Sequence, residues 1–442
     1  MGTPLSYLQQ RANDDWLVGY DSHEFFVLSD RLYQEYGTTT RSAPLKILLA
    51  EPDAFQFLAH FIAACAAECH VFLANPNWVQ AEWQQVLELV QPDRVVGIVQ
   101  TALVKQREVL GKVQFPSTPF PPPLILIPTG GSSGKIRFVM HTWQTLMASV
   151  RGFRQYFGVD RVNSCCVLPL HHVSGLMQFL RSFTSGGQLA LCSCKALADN
   201  LPCDPGQFFL SLVPTQLDRL LPAPLPHFHT VFLGGAPAWP ELLAQARARK
   251  IRLAPTYGMT ETASQIATLR PEDFFAGQTG CGQVLPHAQI EILQETIAIR
   301  SSALALGYYP NYFEQTTFQP DDLGCFDDRD SLHLIGRASD KIITGGENVF
   351  PAEVEAAIRA TGLVQDVCVV GASDRHWGQA ISAIYVPLNA SEEQLQSALA
   401  NNLSKYKRPK HWVAVETLPR NAQGKIDRSQ ITKLIQQQIE QL

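Results

Sequence analysis

The 442-residue chain predicts an α/β fold, with a large N-terminal domain of mixed, mostly parallel sheets covered by helices and a small α+β C-terminal domain. Three observations carry that expectation. From Lys46 onward, short apolar runs suited to buried strands alternate with stretches whose apolar residues recur at helical spacing. The apolar run Leu124-Ile125-Leu126-Ile127-Pro128 empties into Thr129-Gly130-Gly131-Ser132-Ser133-Gly134-Lys135, a loop of glycines and hydroxyls. Around residues 335–346 the character changes, and about a hundred residues remain, enough for a small separate domain.

Taken in order, 46–50 reads as a strand, 55–69 as a helix, 70–74 as a strand, 79–90 as a helix and 94–99 as a strand. A proline-rich connector, 116–123, leads into the strand before the glycine loop, and 136–140 after it is extended. Further strands are expected at 165–168, 188–192, 230–233 and 289–293, with a helix over 174–183. The tail has a helix at 352–360, strands at 367–370 and 381–386, a helix from Glu392 and a basic stretch at 405–410. The boundary is placed between 338 and 339.

Composition excludes several classes. The 35 basic and 40 acidic residues give a net charge of −5 with the signs interspersed, so no nucleic-acid face is expected. The ten cysteines include no C-x-x-C pair, and several lie in apolar runs. They read as buried reduced thiols of a cytosolic protein, not as a disulfide framework or zinc site. No secretory leader is read, and no apolar run reaches the ~18 residues of a membrane span. Met1-Gly2 followed by Ser6 matches a myristoylation pattern by letter only.

The glycine loop suits phosphate, because inward-turned amides and hydroxyls solvate anionic oxygens without bulk. A Walker loop fails on Thr129 and Ile136. A nucleophile elbow fits Gly130-Gly131-Ser132-Ser133-Gly134 by letter, yet it must run into a helix, and 136–140 looks extended. A serine hydrolase using Ser132, with Asp340 and His376 or His411, is the alternative from another class.

Other segments carry chemistry. Thr256-Tyr257-Gly258-Met259-Thr260-Glu261-Thr262 sets a carboxylate among hydroxyls, suited to a phosphate-bound metal; an acidic helix start is the plainer reading. Gly234-Gly235-Ala236 ends a strand and lets a flat ring approach the backbone, as any tight turn would. Pro169-Leu170-His171-His172 pairs histidines with no third ligand at metal spacing. Asp322 and Arg337 suit diol and phosphate recognition, although such charges are usually solvated. Thr344-Gly345-Gly346-Glu347 is a second glycine loop, and Lys425 follows an Asn/Gly turn.

Together these segments stand in the order found in the adenylate-forming superfamily of acyl-CoA synthetases, luciferases and peptide-synthetase adenylation domains, which the chain resembles over 128–428. The resemblance implies ATP, Mg²⁺ and CoA as co-substrate. It implies that Thr129, Gly130, Gly131, Ser132, Ser133 and Gly134 hold phosphates and that Gly234, Gly235 and Ala236 meet adenine. Tyr257 and Gly258 add nucleotide contacts, and Asp322 with Arg337 holds ribose, Asp321 remaining the alternative. Thr260, Glu261 and Lys425 become catalytic, with Glu261 the metal ligand. Ser339 becomes the hinge, Gly345 and Gly346 the loop that meets CoA, and 339–442 a mobile lid.

Segments 168–176 and 257–265 most resemble the branch that activates o-succinylbenzoate for menaquinone or phylloquinone synthesis. An AMP-forming acid–CoA ligase is implied, with His172, Arg181, Ser264 and Gly235 around the acid; another aryl- or acyl-CoA ligase is the neighbouring reading. Arg181 is the candidate for the succinyl carboxylate, with a surface arginine on an amphipathic helix as its plain alternative, and Ser264 is expected one helical turn past Thr260. The partner is a small carboxylate, with no nucleic acid, no stable membrane insertion, a cytoplasmic setting and a homo-oligomer left open. Three departures stand out: Ile136-Arg137 for the usual Pro-Lys, Ser339 at the hinge, and Gln319-Pro320-Asp321-Asp322 without the usual Thr-Gly.

Overall fold

The computed structural model describes residues 2–37, 44–97, 122–130, 136–199, 203–344, 347–374, 376–388, 391–400, 402–420 and 426–441. Contacts divide the chain into two units. The first holds Met1–Ala236, Ala246–Ile290 and Ile299–Phe318; the second holds Pro237–Gln245, Glu291–Ala298 and Gln319–Leu442.

Two sheets organise the first unit. One runs Asn311–Tyr312, Gly307–Tyr308, Ile136–His141, Ile125–Gly130, His70–Leu73, Lys46–Ala50 and Arg94–Gly97. Its last four strands are mutually parallel and the others antiparallel. The other runs Leu17–Val18, Leu189–Leu191, Asn163–Cys166, Phe208–Leu212, Thr230–Leu233, Leu253–Met259, Ser264–Thr268 and Gln283–Val284, parallel as far as Leu253–Met259. Mixed, mostly parallel sheets are therefore what forms.

Strands buried on both faces explain the continuous apolar runs. In Lys46–Ala50, Ile47 and Leu49 point into one core while Leu48 and Ala50 point into another. The first core gathers the helices Ser22–Gly37, Ala54–Ala66, Trp143–Phe157 and Val173–Ser185 between the two sheets. Caps fit the sequence: Asp53 accepts from Gln56 N, and Thr142 from Thr145 N.

Two local expectations are corrected. The strand placed at 165–168 is Asn163–Cys166; the chain leaves the sheet ahead of Pro169, which has no N–H to give a ladder. No helix starts at Thr260. Leu253–Met259 is a strand that ends in one 3₁₀ turn, Thr260–Thr262, and the chain then returns as the strand Ser264–Thr268. Ser264 thus opens a strand instead of lying a helical turn past Thr260.

In the second unit, a sheet orders Glu347–Val349, Ile342–Thr344, Gly378–Pro387 and Val364–Asp374, with His411–Ala414 parallel to Gly378–Pro387. The expected strands at 367–370 and 381–386 are the centres of the two long antiparallel ones. Helices Pro351–Ala360 and Glu392–Leu399 serve one of its cores and Arg428–Gln441 the other. Among the described residues no helix is long and apolar enough to cross a membrane.

Candidate active site

The carboxyl ends of parallel strands, where α/β sheets place ligands, hold the expected motifs. Thr230–Leu233 and Leu253–Met259 are parallel neighbours, so Gly234-Gly235-Ala236 and Tyr257-Gly258 emerge side by side. Gly235 adopts φ +80°, a left-handed conformation suited to glycine. A Cβ on Gly258 would come within 2.1 Å of Ser264 O, so only glycine lets the returning strand pass.

The Thr260–Glu261 turn is tied down from every side. Glu261 is 8% exposed, and its Oε1 accepts from the Tyr308 hydroxyl at 2.6 Å. Glu261 O accepts from Ala305 N, and Ala263 O from the Ser149 hydroxyl. Thr260 O accepts from His141 Nε2 at 2.8 Å. A carbonyl only accepts, so Nε2 carries the hydrogen; burial pulls the ring down to about 4, which keeps it neutral and leaves Nδ1 to accept from the Thr145 hydroxyl. The turn ends in two strained residues, Ala263 at φ 51° and Ser264 at φ 89°. Such positions cost on the order of 1–3 kcal/mol each and persist where surrounding contacts over-determine them.

Among the described residues no group of three or more His, Cys, Asp or Glu is arranged to hold a metal. One buried carboxylate with a single oxygen committed suits Mg²⁺, which keeps water and takes its remaining ligands from substrate phosphates.

Thr129 is the next-to-last residue of the strand Ile125–Gly130, directly opposite Arg137 on Ile136–His141. The chain after the loop is thus an antiparallel strand, and the strand-to-helix passage of a nucleophile elbow is absent there. Gly131, Ser132, Ser133, Gly134 and Lys135 lie outside the described residues, as do Gly345, Gly346 and Lys425.

Arg181 is not a surface residue. The helix Val173–Ser185 is buried on every side from Gly175 to Phe183, and Arg181 is 3% exposed. Its guanidinium lies over the Phe153 ring at 4.2 Å, and Nη2 donates to the Ser264 hydroxyl at 3.2 Å. Its Nε has no partner. Burial lowers the group to about 9, so the cation persists at neutral pH, and among the described residues no carboxylate is bridged to it. His287 sets a half-buried ring nearby; burial, then Arg181 and Arg151, pull it down to about 4, against a backbone hydrogen bond at Gln265 that pushes it up. A Cβ on Gly152 would strike that ring, so the glycine makes its room. His172 occupies the N-cap of the same helix, its ring 4.4 Å from that of His171.

In the second unit, Asp322 and Arg337 are cross-strand partners joined at 3.1 Å. Asp321 instead accepts from Ser339 N at 3.0 Å, holding the turn after the strand. Arg420 and Ile426 form an antiparallel bridge on either side of 421–425, and Arg428 is anchored by Glu355 and Val369 O.

Sequence reasoning missed Tyr308, His141 and His287. His141 closes an apolar strand and the others stand alone in unremarked segments, so no spacing signal existed for them.

The fold and this site define a nucleotide-dependent α/β enzyme of the adenylate-forming kind. The AMP-binding enzyme family matches residues 45–309, and the AMP-binding enzyme C-terminal domain matches 353–425; the chain belongs to that family. A 2-succinylbenzoate–CoA ligase from Listeria innocua is 34% identical over 320 residues, covering 69% of this chain and 68% of the relative. Its counterpart from Lactococcus lactis is 32% identical, covering 70% of each. Among solved structures, o-succinylbenzoate CoA synthetase from Bacillus subtilis with ATP and magnesium superposes with a TM-score of 0.82 at 25% identity, covering 96% and 98%. The same enzyme with its acyl-adenylate gives 0.85 at 24% identity, covering 96% and 97%.

Proposed function

We propose that the protein is an ATP-dependent acid–CoA ligase that acts on 2-succinylbenzoate. A substrate carboxylate attacks the α-phosphorus of ATP, pyrophosphate leaves, and CoA sulfur then displaces AMP to give the thioester. Such chemistry asks for positioning and charge neutralisation. Thr129 and the glycine loop hold phosphates, Gly234, Gly235, Ala236, Tyr257 and Gly258 the base, and Asp322 with Arg337 the ribose. Thr260 and Glu261 face the phosphates; Mg²⁺, held by Glu261, supplies charge neutralisation there. Lys425 neutralises the attacking carboxylate and the α-phosphate. Residues 339–442 act as the lid, hinged at Ser339, and bring Gly345 and Gly346 to CoA in the second step. The setting is the cytoplasm.

The observation that carries the substrate is Arg181, a buried cation that faces a serine hydroxyl and, among the described residues, no counter-charge. Leaving such a charge unpaired is costly, and a dicarboxylic acid supplies the missing anion. His172 and Gly235 line the same acid. The test is pyrophosphate release from purified protein with ATP, CoA and 2-succinylbenzoate; none released would sink the reading. Lys425→Ala should abolish adenylate formation yet spare thioester formation from pre-made acyl-AMP, and equal loss of both steps would refute the lid assignment.

A further inference from the structure

The strand Ile136–His141 is tied to the Thr260–Glu261 turn directly at one end and through Tyr308 at the other. At its far end His141 holds Thr260 O. Near its start, Arg137 lies opposite Thr129 at the mouth of the glycine loop, and its guanidinium stacks on the Tyr308 ring at 4.3 Å. Tyr308 belongs to Gly307–Tyr308, the next strand of that sheet, where it pairs with Val139. Its hydroxyl donates to Glu261 Oε1 at 2.6 Å. A phenol carries its proton at neutral pH and a carboxylate only accepts, so the hydroxyl is the donor.

We propose that Tyr308 is a positioning residue that aims the Glu261 carboxylate at the metal–phosphate site, and that Arg137 locks Tyr308 by stacking on it. The inference rests on the ligase reading above. A carboxylate on a short side-chain turn has several rotamers, and a donor fixed at one oxygen selects one and leaves the other oxygen for a ligand. The planar guanidinium also gives a reason for arginine where lysine is usual, since a flat cation covers a ring face and a point charge does not. The stack links Arg137, on the strand that follows the glycine loop, to the Glu261 carboxylate through Tyr308.

The experiment titrates Mg²⁺ against ATP binding to the full chain by calorimetry, with AMP binding in EDTA as the metal-free reference. Tyr308→Phe should raise the Mg²⁺ half-saturation about tenfold, the size of one hydrogen bond to a charged group, and leave AMP binding unchanged. Arg137→Gln, which keeps the phenol and opens no cavity, should raise it about threefold. Glu261→Gln should weaken Mg²⁺ dependence by itself, and Tyr308→Phe added to it should change nothing more. An unchanged half-saturation in both single variants, or losses that multiply in the double variant, would overturn the assignment. Wild-type protein that binds no ATP at any Mg²⁺ concentration would instead overturn the ligase reading and this inference with it.

Discussion

Two buried polar clusters in the first unit are built in opposite ways. Around Glu261 the turn's backbone and carboxylate find donors in Tyr308, Ala305, Ser149 and His141, all within the protein. Around Arg181 the accounting is left open, with an unpartnered Nε and one serine hydroxyl. A satisfied network fixes a group in place, whereas an unsatisfied one costs stability until something supplies the missing charge. The contrast separates machinery that must be preorganised from a pocket that selects its ligand.

The largest expected effect tests the open cluster. Arg181→Ala should lower kcat/KM for 2-succinylbenzoate by about a hundredfold or more, since truncating one partner of a buried charge pair costs roughly 2–5 kcal/mol. The same variant should change benzoate analogues by less than about threefold. In the unliganded protein, Arg181→Met should be neutral or stabilising by about 1 kcal/mol, because an uncompensated charge leaves the interior. A loss of stability in that variant, read by urea unfolding, would mean that the contacts to Phe153 and Ser264 already compensate the charge.

Next comes the closed cluster, through pH. Burial lowers His141 to about 4 from an ordinary 6.5, so between those values the unfolded chain takes up a proton that the folded one refuses. Stability is therefore fully present above about pH 6.5 and falls as pH drops toward 4, by roughly 3 kcal/mol for this one group. His141→Gln keeps a donor for Thr260 O and should remove that share of the slope. Urea midpoints measured across pH 4–7 for both proteins give the difference, and parallel curves would show that His141 titrates normally.

Smaller effects follow. Ser264→Ala removes the hydroxyl beside Arg181 and should raise KM for the dicarboxylate about three- to tenfold, the range of one net hydrogen bond. Arg337→Ala breaks a pair whose arginine is 61% exposed. It should change unfolding free energy by less than about 1 kcal/mol, while KM for ATP rises if the pair also serves ribose.

Much of the first unit was legible because strands buried on both faces must be apolar, as 47–50, 71–74 and 231–233 are. Boundaries set by tertiary contacts were not. Thr256-Tyr257-Gly258 continues as strand because Ser264–Thr268 returns against it, and that partner lies beyond any local propensity. Arg181 read equally well as a surface residue, since one arginine among leucines and phenylalanines gives the same helical pattern whether or not the helix is covered on its polar side.

The sequence by itself determined the class of chemistry: the glycine loop, the Tyr257-Gly258-Met259-Thr260-Glu261 segment and the order of motifs are local, and covalent spacing preserves them. Only the tertiary structure decided which charges are satisfied. Tyr308 lies 47 residues from Glu261, and Ser264 lies 83 from Arg181. Burial and hydrogen bonding are properties of what packs around a group, so the preorganised carboxylate and the waiting cation become distinguishable only once the chain has folded.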